Sequence, residues 1–213
     1  MDCMAARRMI QTCLIITWQA FSMTMKDKRQ QIVETAYRLF RSDGYHAVGI
    51  DRIIAETGVA KMTMYRHFRA KDDLIVEVLR FRAERFERQL DRLLAPHRTA
   101  AEKITAIVGW YERWFARTDF FGCAFAHALA EYGRSEHPVF KAVQAQKEGF
   151  RRRLREILCV EDGNSHDAPG KDADSLFMMF EGATLMAQMG RAHEAITSLR
   201  HSVARICGAD AAV

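Results

Sequence analysis

Ten lysines and arginines stand between Lys26 and Lys71 against five acidic residues, a local excess of +5 that equals the net charge of the whole 213-residue chain. Residues 1–25 carry +1 and residues 72–213 carry −1, so the basic character is confined to one segment. Guanidinium and ammonium groups concentrated in this way suit a polyphosphate surface, whereas general basicity would only favour solubility. A second cluster offers different chemistry. Residues 107–125 read IVGWYERWFARTDFFGCAF, seven aromatics in nineteen positions, with Trp110 and Trp114, and Tyr111 and Phe115, four apart on one side of a helix. Rings at that density make either a filled core or, beside polar groups, the wall of a ligand cavity. The polar groups that helical spacing can turn inward with them are His127, Glu131, Glu181 and Gln188. A buried glutamate there would select a cationic or hydrogen-bond-donating ligand. Catalytic chemistry is not indicated, because no glycine-rich phosphate loop, HExxH or GxSxG motif occurs, and His193-Glu194 lacks the second histidine of a zinc protease. The chain therefore reads as a binding protein and not an enzyme, with no cofactor and no metal site.

The elements that must hold these residues are almost all helical. Three prolines in the chain and apolar residues spaced three and four apart point to an all-α protein of about nine helices. Helix 1 is expected at about Lys28–Ser42, with Ile32, Val33, Ala36, Leu39 and Phe40 on one face and Asp43-Gly44 as its stop. Helix 2 is expected at about Ile50–Thr57, burying Ile50, Ile53 and Ile54. The turn Thr57-Gly58-Val59 leads to helix 3 at about Lys61–His67, and helix 4 runs from Lys71 to Leu94, ahead of Pro96. Three short helices with a glycine turn before the last form a helix-turn-helix, whose final helix is thin enough for a DNA major groove. Further helices are expected at 99–117, 122–133, 137–159, 172–190 and 193–207, with a polar loop at 160–170. The domains expected are thus an N-terminal extension (1–25), a helix-turn-helix head (26–72) and a helical body (73–213).

Two features bear on location. Five cysteines, at 3, 13, 123, 159 and 207, form neither a disulfide framework nor a zinc-binding pattern, which suits a reducing cytoplasm. Arg7-Arg8 and the apolar stretch after them resemble a secretion signal, but about 13 apolar residues fall short of the ~20 that cross a bilayer. Residues 1–22 are expected to lie upstream of a functional start at Met23 or Met25, with Thr24 to Arg29 as a basic arm and no membrane role.

The segment from Lys28 to Leu74 resembles the tetracycline-repressor (TetR) family of bacterial transcriptional regulators. The resemblance rests on Ile32, Ala36, Phe40, Gly44-Tyr45, Ile53, Gly58-Val59, Thr63, Tyr65, His67-Phe68, Lys71 and Leu74, without a gap. It implies a dimer whose heads occupy successive major grooves of a palindromic operator, and a body that binds a small effector. Repression is the commoner mode in the family. By position, Lys61, Thr63, Met64 and Arg66 would face DNA, while Tyr65, His67 and Lys71 would hold phosphates, helped by the amides at Gly49-Ile50 and by Arg52. Arg66 suits bidentate readout of guanine and Met64 a thymine methyl, although Met64 serves equally well as packing, His67 as a partner within its turn and Tyr65 as a core ring.

The chain departs from the family pattern at Gly49, where a threonine is common, at Ile54 and Met62, and at Ala60, where a serine would cap helix 3. In the body, the resemblance implies a ligand site for which Trp110, Trp114, Phe121, Cys123, His127, Glu131, Phe177 and Glu181 are the candidates. Gly122-Cys123 followed by Glu131 is similar to a pattern in one subset of the family. A thiol at a helix N-terminus has a lowered pKa, so an electrophile- or redox-sensing regulator using Cys123 is the alternative function. The last two helices, with rows Leu176, Phe177, Phe180, Ala183, Ala187 and Ile196, Leu199, Val203, Ile206, are those through which the family dimerises; packing within one subunit would give the same rows.

Overall fold

The computed structural model describes residues 28–159 and 168–207. The expected N-terminal extension and start sites, Cys3, Cys13 and residues 160–167 of the polar loop fall outside the described residues. Nine helices are present among those described: α1 (28–43), α2 (Ile50–Thr57), α3 (Lys61–His67), α4 (Lys71–Leu94), α5 (Ala100–Phe115), α6 (Ala124–Glu131), α7 (Pro138–Cys159), α8 (Ala168–Gln188) and α9 (Ala192–Ile206). There are no strands among them, so the fold is all-α. The chain forms two compact units, one ending at Val78 and one beginning at Leu79, with the division inside α4.

In the N-terminal unit, Ile32, Val33, Ala36, Leu39 and Phe40 of α1 are all buried, as their spacing requires. Tyr45 stacks on Phe40 at 5.0 Å, and Val48, Ile53, Val59, Met64, Phe68, Leu74 and Ile75 complete the core. Ile50 and Ile54 are only half-buried; α2 commits Ile53 and Thr57 to the core and leaves its other isoleucines at the margin. Gly58 ends α2 in the left-handed region, φ 66°, a conformation that a side chain would strain. Its N–H donates to the Ile54 carbonyl at 2.9 Å, and Gln31 Nε2 donates to the Thr57 carbonyl at 3.1 Å, tying α1 to the turn. Ala60, the N-cap of α3, is extended and contributes no side-chain bond. Ala60→Ser restores that acceptor and is expected to raise stability by about 1 kcal/mol, read as an increased denaturation midpoint; an unchanged midpoint would count against the capping argument.

The second unit packs α5, α7, α8 and α9 around Phe86, Ile104, Ile107, Tyr111, Phe150, Leu154, Leu176 and Phe180, with Tyr111 and Phe180 4.7 Å apart. Helix α8 starts at Ala168, four residues before the expected 172, because a proline is tolerated in a first turn that needs no N–H from it. Helix α5 is opened by a capping box: Glu102 N donates to Thr99 Oγ1 at 3.1 Å, and Thr99 N donates to Glu102 Oε2 at 3.2 Å. Backbone N–H groups of Arg98 and Thr99 hold the Glu102 carboxyl below the ordinary carboxylate range. A depressed carboxyl stabilises the fold above its unfolded pKa and loses that contribution as pH falls through the folded value. Glu102→Gln is therefore expected to narrow the melting-temperature gap to the parent as pH drops below about 4; a constant gap from pH 7 to pH 3 would refute this. No helix among the described residues is long and apolar enough to cross a membrane, and no group of three His, Cys, Asp or Glu there could hold a metal.

Candidate DNA interface and body cavity

Seven residues of α3 divide sharply between core and solvent. Met64 is 0% exposed and sits in the core of its unit, whereas Met62 is 75% exposed. The expectation that Met64 reaches a base is therefore overturned: a helix of seven residues has one inward position per turn, and Met64 occupies it. Met62 is the methionine left on the outer face, with Lys61, Tyr65 and Arg66 exposed beside it and Thr63 half-buried. Lys61 Nζ lies 3.1 Å from Asp51 Oδ1, and that hydrogen bond raises the lysine pKa. Both side chains are largely exposed, so the pair is weak and the ammonium is free to exchange Asp51 for a phosphate. Arg52 is similarly held, 2.7 Å from Asp43.

Gly49 is the exposed N-cap of α2, with φ −79° and open space where a side chain would stand. The backbone amides that follow it are the donors this helix end presents to an anion. Lys71 Nζ donates to the His46 carbonyl at 3.1 Å. His67 is half-buried, with its Nε2 shielded and without a hydrogen-bond partner. Burial first, then the positive charges of Arg29 and Arg66, lower its pKa, so at neutral pH the ring offers a neutral N–H and no charge.

In the second unit, one cavity gathers aromatic walls and charged groups. Arg82 and Phe86 reach it from α4, Tyr111 and Trp114 from α5, Cys123 and Phe125 from the start of α6, Gln146, Lys147 and Phe150 from α7, and Glu181 and Thr184 from α8. Its volume is about 40 Å³, room for a few water molecules and far below the roughly 300–1,000 Å³ of ordinary ligand pockets. Lys147 Nζ donates to both Glu181 oxygens, at 2.6 and 2.7 Å, and lies 3.5 Å from Cys123 Sγ. Burial works against the Lys147 ammonium, yet its interactions with Cys123 and Glu181 outweigh it and hold the pKa above the usual lysine range. Burial, with the charge of Glu181 next, pushes the Tyr111 hydroxyl well up. Glu181 is thus already satisfied, which removes the basis for expecting a cationic ligand. Gln146 carries the opposite situation: its Oε1 is buried without a donor, a state that costs about 1–3 kcal/mol.

Of the expected ligand residues, Trp114, Cys123 and Glu181 line this cavity; Trp110, Phe121, His127, Glu131 and Phe177 do not. Trp110 instead packs edge-on against Phe86 at 5.6 Å, and Phe177 lies 6.3 Å from the Phe150 ring as part of the core packing. Phe121 is exposed, and its carbonyl accepts from Gln188 Nε2 at 3.1 Å; the same nitrogen lies 2.9 Å from His127 Nε2. Gly122, at φ 90°, permits this clamp, since a Cβ there would meet the Gln188 amide at 2.1 Å. Glu131 is half-buried and does not line the cavity. Arg82, Gln146 and Lys147 were missed. Lys147 had a signal: it falls between Val143, Phe150 and Leu154 on the buried face of α7, where a charge needs a partner.

Comparison with known proteins agrees with this architecture. The family profile described as bacterial regulatory proteins, tetR family, matches residues 32–78, the segment that holds α2, α3 and the turn between them. The chain is 28% identical to the HTH-type transcriptional regulator LmrA of Bacillus subtilis over 172 residues, covering 78% of this chain and 88% of that protein. Among solved structures, it superposes on the TetR-family transcriptional regulator SCO4454 of Streptomyces coelicolor with a TM-score of 0.79 at 31% identity, covering 86% of this chain and 96% of the other. Reduced NemR of E. coli shares the fold at 22% identity, with a TM-score of 0.75 over 88% of this chain and all of that one. A helix-turn-helix at residues 28–78, an all-α second unit, and this extent of likeness place the chain in the TetR family of DNA-binding transcriptional regulators.

Proposed function

We propose that the protein is a homodimeric, ligand-responsive repressor in the cytoplasm, binding a palindromic operator with the head (26–72) and an effector with the body (73–213). The observation that carries this reading is the outer face of α3, where Lys61, Met62, Tyr65 and Arg66 are exposed together. One short helix touches too few base edges for useful specificity, so two heads about 34–36 Å apart, one helical turn of DNA, are required. The second copy fits the outer side of α8 and α9. Met178, Leu185 and Met189 are 65%, 60% and 63% exposed there, beside a groove of about 220 Å³ lined by Gly182, Ala183, Ser198 and Ser202.

A cavity of about 40 Å³ cannot admit an effector without opening. An effector that prefers the opened body draws the population away from the DNA-binding form, and a hundredfold preference corresponds to about 2.7 kcal/mol of coupling. The test is a footprint of the full chain on DNA flanking its own gene and on a genome-wide selected pool, at two salt concentrations. A protected palindrome that weakens steeply with salt is expected; protection without dyad symmetry, or none in the selected pool, would sink the proposal.

One observation favours a second reading. Lys147 Nζ lies 3.5 Å from Cys123 Sγ at the start of α6, so Cys123 itself can be the sensor, releasing DNA on alkylation. If Cys123→Ser still releases operator DNA when treated with N-ethylmaleimide, this reading fails.

A further inference from the structure

The charges around the body cavity do not cancel. Lys147 and Glu181 neutralise each other through two short hydrogen bonds. Arg82 also lines the cavity, half-buried, and no carboxylate among the described residues pairs with it. Other arginines of this unit are engaged: Arg151 with Asp174, Arg153 with Asp91, Arg200 with Glu112. The lining therefore carries one uncompensated positive charge against five aromatic rings, with the buried Gln146 carbonyl still lacking a donor.

We infer that the effector is an aromatic carboxylate, its ring system entering between Phe86, Trp114 and Phe150 and its carboxylate meeting Arg82. The guanidinium is a planar fork that matches a carboxylate with two parallel hydrogen bonds, and one such fork balances one negative charge. A phosphate dianion would leave a charge unmatched, and a cation would face Arg82 directly. The rings supply the apolar area that has to be gained when the cavity opens, and edge-to-face contacts such as that between Phe86 and Phe150, at 5.4 Å and 78°, show how a further ring is accommodated. This inference rests on the effector cavity proposed above.

Three probes of one shape separate charge from shape: 2-naphthoate, 2-naphthalenemethanol and 2-naphthylmethylamine, titrated calorimetrically into the full chain at neutral pH. The acid is expected to bind at least tenfold more tightly than the alcohol, and the amine more weakly than either. Arg82→Met keeps the apolar stem and is expected to erase the preference for the acid, while Arg82→Lys retains part of it. If the alcohol or amine binds as tightly as the acid, or the preference survives in Arg82→Met, the inference is overturned. In that case release of operator DNA by the alcohol would leave the effector cavity standing. Failure of all three to bind would overturn the inference and the cavity together.

Discussion

Arg66→Ala is expected to weaken operator binding sharply while leaving the fold intact. A bidentate arginine–guanine contact discriminates by about 1–3 kcal/mol per head, and a dimer loses it twice. Affinity should therefore fall by roughly 30-fold to 10⁴-fold, at about tenfold per 1.4 kcal/mol. Arg66 is exposed and outside the core, so the thermal midpoint should not move. Met64→Ala, two positions earlier, should do the reverse. Its side chain is fully buried, and truncation is expected to cost about 2–5 kcal/mol, a large share of the ~5–15 kcal/mol that holds a domain together. Binding would then be lost through unfolding of the head. Met62→Ala should leave stability alone and weaken binding only at sites where a thymine methyl meets it. Mobility-shift titrations beside thermal melts of the three variants separate these outcomes. An Arg66→Ala protein with full affinity for the selected operator would refute the assigned reading helix.

Leu185→Arg carries the second large effect. Met178 and Leu185, seven residues apart on α8, and Met189 just past its end make an apolar stripe left open to solvent. A charge at its centre, desolvated twice in a symmetric interface, is expected to convert the proposed dimer to a monomer at micromolar concentration. Operator affinity should fall to that of a single head, by at least a hundredfold, while the helical content stays unchanged. Sedimentation velocity reads the first effect and mobility shift the second. A variant that sediments as a dimer would place the subunit contact elsewhere on the body.

The head was nearly complete in the sequence. The bounds of α2, α3 and α4 coincide with those expected because Gly58, Lys71 and Pro96 punctuate the chain, and every residue of the α1 stripe is buried. Periodicity could not tell Met62 from Met64. In a helix of seven residues an inward stripe has only one or two members, and the choice falls to the rest of the core. The body was legible as helices but only partly as a site. Aromatic density pointed to α5 and found Trp114, yet five of the eleven lining residues come from α4 and α7, whose contributions Arg82, Gln146 and Lys147 depend on tertiary neighbours. Glu181 was found in the sequence and its meaning reversed by Lys147, a partner 34 residues away in the chain.

Helix α8 lends one side to two different tasks. Glu181, whose carboxylate holds the cavity's lysine, lies between Met178 and Leu185 along the helix, three and four residues from each. The rim of the cavity and the stripe proposed for the second subunit are therefore neighbours on a single rigid rod. In the proposed dimer, effector occupancy in one protomer cannot tilt that rod without disturbing its mate, so the two protomers should fill in concert. Derepression would then follow effector concentration with a Hill coefficient above one, giving the regulated genes a threshold in place of a gradual rise.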